Sequence, residues 1–461
     1  MISLQDLFRV RRIIMFFYRS FYMKSAAESF GFRDEGIEEI VLDSRKTMHQ
    51  ALFVPIIGER SDGHDYIEMA IQNGAVAVLS SRPVAALQQR YPEVRFYEVE
   101  NTITALQEIG YMERQRFHGP VIGVTGSVGK TTTRTMVAAA LAASRKVFQT
   151  AGNANSQVGV PITMFQMAHS GADCAVIELG MSMPGEMTRI AHVACVDYAI
   201  MTNIGIAHIE QLKTQENILH EKLHILDGAE GHCELLLNSE DPLLSAVDTA
   251  MLEKLGHLVD KDVTIHRYSA KDYSLNLRVK GNHMLQNASA AMHIAELLQA
   301  DTDGAKKALE AFTGLAGRGE TFHTTTGLTI IDDAYNASPV SMKAGLEVLA
   351  QLKGSRHIAV LADMLELGER SPEFHREVGR FLAALPIDQI YLYGPLAEEI
   401  GSGLCECLPE NQSRSIFRFR DFDALRKTLM TNVHEGDVLL FKGSNSMRLS
   451  EIVKDFRKDQ R

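Results

Sequence analysis

The 461-residue sequence predicts an α/β protein of three successive units, two of them built on mostly parallel sheets. Three observations carry this. Uninterrupted apolar runs at residues 121–124, 174–179, 198–202 and 234–238 read as strands buried on both faces, and so do those at 329–332, 357–362, 389–393 and 437–441. Helical stretches separate these runs, as parallel connections require. Finally, a glycine-rich turn, Gly123-Val124-Thr125-Gly126-Ser127-Val128-Gly129-Lys130-Thr131-Thr132-Thr133, leads from one such strand into a helix through Met136, Val137, Ala140 and Leu141.

Taken in order, residues 1–22 are a leader of uncertain status. Arg9, Arg11 and Arg12 precede an apolar run at 13–18 that is too short to span a bilayer, and no small-residue cleavage site follows it. Leu4, Leu7, Phe8, Met15, Tyr18 and Tyr22 share a helical face, which admits a weak peripheral membrane contact. A helix packed on the first unit, or a true start at Met23, is the plainer reading. Residues 23–118 alternate short strands at 51–57, 75–80 and 95–99 with helices, a small α/β unit. Gly119-Pro120 is a break, and the central unit runs over 119–315, with a helix at 286–299 near its end. The turn around Leu315-Ala316-Gly317-Arg318-Gly319 opens a C-terminal unit, 316–461. Its strand–helix alternation is the doubly wound, Rossmann-like pattern, in which ligands sit beyond the carboxyl ends of the strands.

Hydrophobic residues at 45% and charged residues at 23% describe a soluble globular chain. A net charge of −11 argues against a nucleic-acid partner. The five cysteines suggest no disulfide framework and no secretory signal is evident, so a cytoplasmic location is expected. Cys405-x-Cys407 reads as two reduced thiols on a surface loop.

The glycine-rich turn carries the chemistry. A helix N-terminus offers unpaired N–H groups and partial positive charge to a phosphate. Gly126, Ser127, Val128, Gly129, Lys130, Thr131 and Thr132 would cradle it, Lys130 adding a cation and the Thr131 hydroxyl reaching a phosphate-bound Mg²⁺. Val124 stands where the strict motif has glycine. The central unit is thus P-loop ATPase-like; a helix-capping turn that binds nothing is the bland alternative. Glu178 ends a buried strand where its carboxylate can hold Mg²⁺, and His208 follows the next strand near the same edge.

With Asn153-Ala154-Asn155, Gly159-Val160-Pro161, Glu178-Leu179-Gly180 and Thr202-Asn203-Ile204-Gly205, the central unit resembles that of the Mur ligase family. The stretches at 332–339 and 362–369 resemble its MurF type, the UDP-N-acetylmuramoyl-tripeptide–D-alanyl-D-alanine ligases. Asp43-Ser44-Arg45 and residues 58–65 resemble the family's nucleotide-sugar unit. The resemblance covers nearly everything from Met23 onward. It implies an ATP-dependent carbon–nitrogen ligase of peptidoglycan precursor synthesis, with UDP-sugar on the first unit, ATP on the second and the amine substrate on the third. Carried over by position, it implies that Lys130, Lys222 and His208 are catalytic, and that Thr131, Glu178, His208 and a carbamylated Lys222 hold Mg²⁺. It further implies that Asn287, Arg318 and Asp333 contact ATP, and that Ser44, Arg45, Asn153, Asn155, Asn336, Asp363 and Lys442 contact the UDP-muramoyl-tripeptide or the D-Ala-D-Ala. Asp363 could equally be a plain turn residue. His224, Met284, Ser338 and Asn445 depart from the residues common in the family, which has glutamate at the place of His224. The alternatives are a Mur-type ligase adding one amino acid, against which the lack of an Asp-Asn-Pro-Arg sequence counts, and a catalytically silent nucleotide-binding paralogue.

Overall fold

A computed structural model describes residues 30–408 and 414–458, so the leader expectations lie outside the described residues. Each unit has its own sheet. The first is β1 (Glu39–Val41), β2 (Ala51–Phe53), β3 (Ala75–Ser80) and β4 (Arg95–Glu98), parallel and in that spatial order. The second contains β5 (Val121–Thr125), β6 (Val147–Gln149), β7 (Cys174–Glu178), β8 (Tyr198–Met201), β9 (Gly231–Asn238) and β10 (Lys261–Tyr268). All six are parallel, in the order β10-β9-β8-β5-β7-β6. The third holds β11 (Glu320–His323), β12 (Thr329–Asp333), β13 (His357–Ala362), β14 (Gln389–Tyr393), β15 (Ser415–Phe419) and β16 (Val438–Lys442), ordered β11-β12-β16-β13-β14-β15. Only β11 runs antiparallel to its neighbour, at the sheet's edge.

The apolar runs behave as expected of strands covered on both faces. Val121, Ala175, Ile177, Ala199, Met201, Leu235 and Leu237 enter one core of the central unit, whereas Ile122, Val124, Val176, Ile200 and Leu236 enter the other. Period-two alternation thus feeds two cores with helices on either side of one sheet. The strands that sequence reading missed, β1, β6, β10, β11 and β15, all lie at sheet edges. An edge strand keeps one side toward solvent, so Lys261, Asp262 and Arg267 can sit in β10 and break the apolar signal.

Three other expectations shift. The strand expected over 51–57 stops at Phe53, two residues before Pro55, which has no N–H to donate. The helix expected over 286–299 starts earlier, as Asn282–Leu297, because Gly281 at φ 109° turns the chain into it. Cys405 and Cys407 are exposed but lie within the helix Glu398–Cys407, not on a loop. Among the described residues no helix is long and apolar enough to cross a membrane.

Helices Ser371–Ala383 and Glu398–Cys407 approach through glycines: a β-carbon on Gly379 would lie 2.0 Å from the Ile400 carbonyl oxygen. Gly379→Ala must push the helices apart and should lower stability by about 1–3 kcal/mol in denaturant unfolding. Glu108, in the helix Thr102–Arg116, is buried, and burial raises its carboxyl from 4.5 to about 7. The folded protein therefore keeps a proton there that the unfolded chain has lost, so stability declines as pH rises from about 4.5 through about 7. Glu108→Gln should remove this decline, melting higher than the parent at about pH 8 and alike at about pH 4.

Candidate active site

Parallel register sets Val124 opposite Glu178 and Thr125 opposite Met201, so β5, β7 and β8 end together at one edge of the central sheet. Beyond β5 the chain turns through Gly126 and Gly129, at φ 148° and 85°, into the helix Lys130–Leu141. Glycine is required at 126 on two counts: the backbone is left-handed, and a β-carbon would lie 1.9 Å from Thr202 Oγ1. The loop after β8 grips this turn. Ser127 N–H donates to the Asn203 carbonyl (3.0 Å) and Val128 N–H to Asn203 Oδ1 (2.9 Å). Thr202 Oγ1 and Asn203 Nδ2 both donate to the Val128 carbonyl, and Gly205 N–H to Ser127 Oγ. Asn203 was legible as part of a motif but not as the residue that shapes the loop.

Two lysines converge on one carbonyl. Lys130 Nζ donates to Gly126 O at 2.9 Å, and Lys222 Nζ, from the helix Gln215–Leu223, donates to the same oxygen at 3.1 Å. Burial depresses both ammonium groups, and the neighbouring Lys130 charge drives Lys222 further, well below the usual lysine range. His208, at φ 63°, begins the short helix Ile209–Leu212; burial, then Lys130 and Lys222, push its imidazole to about 4. It is neutral at neutral pH.

Glu178 is the buried carboxylate that meets this charge. Its Oε2 accepts from Thr131 Oγ1 (2.8 Å) and its Oε1 from Asn155 Nδ2 (2.7 Å). Arg134, which sequence reading missed, lies one helical turn beyond Lys130 with Nη1 3.5 Å from Glu178 Oε2. It is buried, its Nη1 also donates to the Gly152 carbonyl, and its Nε has no partner among the described residues. The spacing Lys130 to Arg134 was the available signal, since i and i+4 share a helix face. The pocket therefore gathers Lys130, Lys222 and Arg134 around Glu178, a charge balance suited to a polyanion. Thr131 and Glu178 supply hard oxygen donors 2.8 Å apart, which suit a divalent cation such as Mg²⁺. Thr132 is buried in the first turn of the same helix. Asn287 lies against the loop: a β-carbon on Gly129 would be 3.3 Å from its Oδ1.

The C-terminal unit reaches the same place. Arg318 packs over Tyr335, 3.9 Å from the ring centroid, and its charge helps depress Lys130 and Arg134. Asp333 pairs with Lys442 at 2.5 Å, opposite it across β12 and β16. Burial raises the Asp333 carboxyl and Lys442 pulls it back. The Lys442 ammonium is 2% exposed and also donates to the Asn336 carbonyl, so it braces this edge from inside. His283, at the start of the helix bearing Asn287, is depressed to about 4 by burial and then by Lys442. His208 Nδ1 lies 3.3 Å from Glu366 Oε2, a second contact between the units.

Other expected residues are engaged elsewhere. Asp363 is buried, its Oδ1 accepting from Ala397 N–H at 2.7 Å, which is how a turn-forming residue behaves. Asn336 is exposed and its Oδ1 accepts from Ala337 N–H. Asn153 is exposed, its carbonyl accepting from Asn155 N–H. Ser44 is buried in the first unit, and the exposed Arg45 grips Asp43, holding that carboxyl down to about 2.

Comparison with known proteins gives the class. The chain matches the Mur ligase family catalytic domain over residues 36–110, the Mur ligase middle domain over 124–295, and the Mur ligase glutamate ligase domain over 317–445. It belongs to the Mur ligase family. Within that family it is 34% identical to the UDP-N-acetylmuramoyl-tripeptide–D-alanyl-D-alanine ligase of Bacillus subtilis (strain 168), covering 91% of this chain and 93% of that one. It is 30% identical to the Escherichia coli (strain K12) enzyme of the same name, covering 91% and 94%. Among solved structures it resembles MurF from Acinetobacter baumannii, with a TM-score of 0.78 and 27% identity over 92% of this chain and 94% of that one. MurF from Thermotoga maritima in complex with ADP gives a TM-score of 0.75 and 28% identity over 93% and 99%.

Replacing Arg134 tests the charge imbalance. Arg134→Met takes a partner from the buried Glu178 carboxylate and the donor from the Gly152 carbonyl, so the ligand-free protein should lose about 1–3 kcal/mol in denaturant unfolding. The same variant should gain less stability than the parent from added ADP with Mg²⁺.

Proposed function

We propose that this chain is an ATP-dependent ligase that joins D-alanyl-D-alanine to UDP-N-acetylmuramoyl-tripeptide. The observation that carries this is the pair of buried lysines on the Gly126 carbonyl beside the Thr131–Glu178 pair. A buried cationic pocket at a glycine-rich helix start is built for a nucleoside triphosphate. The relatives' names and the ADP complex of the Thermotoga maritima structure support the substrates.

A carboxylate is a poor electrophile. Transfer of the terminal phosphoryl group of ATP to the tripeptide carboxylate gives an acyl phosphate and ADP. The dipeptide amine then attacks the carbonyl carbon, the C–O bond to phosphate breaks, and the amine loses a proton as the amide forms. In this reading Lys130 turns from Gly126 to the phosphate oxygens and neutralises charge during transfer. Thr131 and Glu178 would hold Mg²⁺, which supplies electrostatic stabilisation of the transferring oxygens. Lys222 is driven toward the neutral amine, which adds CO₂ through a new N–C bond and releases a proton to solvent; the carbamate, R–NH–COO⁻, replaces a repelling cation by an anion and, with the neutral His208, would hold a second cation. Arg318, Asp333 and Asn287 stand where they would enclose the nucleotide, and their closure would keep water from the acyl phosphate. Asn155, tied to Glu178, and Asn153 would meet the carboxyl substrate, and Ser44 and Arg45 its UDP end. Asn336 and the loops after Asp363 and Lys442 would position the amine. The proposed boundaries, 23–118, 119–315 and 316–461, give one substrate to each unit, and the reaction belongs in the cytoplasm.

Phosphate release should require UDP-muramoyl-tripeptide and D-Ala-D-Ala together; release with a single amino acid instead of the dipeptide would overturn the assignment. Lys130→Ala should lose at least about 10²–10³-fold in rate. Lys222→Ala should be severely impaired, and the parent should lose activity in CO₂-free buffer and regain it with bicarbonate. Activity indifferent to CO₂ and to Lys222→Ala would remove the carbamate.

A further inference from the structure

The proposed reaction makes no use of His224. This residue opens the 3-10 helix His224–Gly228, immediately after the helix that carries Lys222. Its Nδ1 lies 2.7 Å from Asp227 Oδ2, and His257 Nδ1 lies 3.2 Å from the other oxygen, Oδ1. Asp227 and His257 are 2% exposed and His224 16%. Ligand atoms from the three residues all fall within 4.8 Å of one another. The carboxylate is oriented from outside by Thr188 Oγ1, which donates to its Oδ2 at 2.9 Å, and the main chain beneath it is held by Lys261 Nζ, which donates to the Leu226 and Asp227 backbone carbonyls.

We propose that His224, Asp227 and His257 form a three-ligand site for a zinc-class divalent cation, separate from the Mg²⁺ position at Thr131 and Glu178. Each residue offers one donor, two imidazole nitrogens and one carboxylate oxygen, which leaves the fourth position of a tetrahedral cation to water. A tetrahedron with bonds of about 2.0–2.1 Å has edges of about 3.3 Å; His257 already stands at 3.2 Å from the carboxylate, and His224, at 2.7 Å, has to draw back by about half an ångström as the cation replaces the proton. Imidazole donors select zinc, cobalt or nickel over Mg²⁺, which prefers oxygen and water. Without a cation, the rings' Nδ1 atoms face the carboxylate through shared protons. With it, each neutral ring carries its proton on Nε2 and turns the Nδ1 lone pair to the metal. Thr188 serves as the outer partner that orients the carboxylate ligand in such a centre. The cation would tie the end of the Lys222 helix to the segment after the helix Thr249–Lys254.

Two other clusters lack this character. Asp34, Glu113 and His169 also converge, but the Arg116 guanidinium already bonds both carboxylates and fills the place of a cation. His232 and His266 flank Glu234 at the surface, about half and a third exposed.

The test is zinc binding by the full-length protein, stripped with a chelator and held in excess Mg²⁺ with ADP to occupy the nucleotide pocket. One equivalent of zinc should be retained and should raise the melting temperature. X-ray absorption of the zinc-loaded protein should show two imidazoles at about 2.0–2.1 Å. His257→Ala should weaken zinc binding by at least about tenfold, and His232→Ala should leave it unchanged. Failure to retain stoichiometric zinc, a spectrum without two imidazoles, or loss of binding in His232→Ala in place of His257→Ala would overturn the proposal. The spectrum of the unaltered protein decides the matter even if His257→Ala does not fold.

Discussion

Two lysine Nζ atoms share the Gly126 carbonyl, and the architecture of the central unit follows from the need to hold them there. Neither lysine would remain buried beside the other unless the surrounding elements were rigid, since burial and mutual repulsion both oppose the charged forms. The rigidity comes from three strands ending in register and from the loop after β8, whose Thr202 and Asn203 grip the Val128 carbonyl. Glu178, placed by β7 and anchored by Thr131 and Asn155, offsets part of the charge. What it leaves over is the attraction a nucleotide meets.

The same electrostatic demand reaches the C-terminal unit. Arg318 and the Asp333–Lys442 pair bring further charge to the pocket from a sheet remote in sequence, and His208 meets Glu366 across the gap. Both His208 and Glu366 have φ of 63°, a left-handed backbone that ordinary side chains enter at a cost. Such positions at a contact between units are compatible with a joint that closes on its substrates, and the proposed acyl phosphate needs that closure because water would otherwise consume it.

Much of the fold could be read before any coordinates. The interior strands β3, β13 and β14 lie where their apolar runs put them, because burial on both faces leaves little room for polar residues. Edge strands such as β10 and β15 carry too many polar residues to show that signal. Of the candidate site, the phosphate loop, Glu178 and the family-matched Lys222 and His208 converge in one pocket. Arg134 did not stand out, because an arginine one turn into a helix looks like any solvated cation until its burial is known. Asp363 and Lys442 could be placed at strand ends from their motifs, but not that Asp363 is bound to the Ala397 backbone or that Lys442 faces inward onto Asp333.

Sequence alone determined the α/β class, the glycine-rich turn and the residue types that suit phosphate and Mg²⁺, because these depend on local periodicity, backbone freedom and charge. Tertiary structure decided which charges meet. Lys222 lies 96 residues from Gly126, and Lys442 lies 109 from Asp333. His257 lies 30 from Asp227. Contacts of that range are set by the order of strands and the packing of helices, to which no local pattern refers.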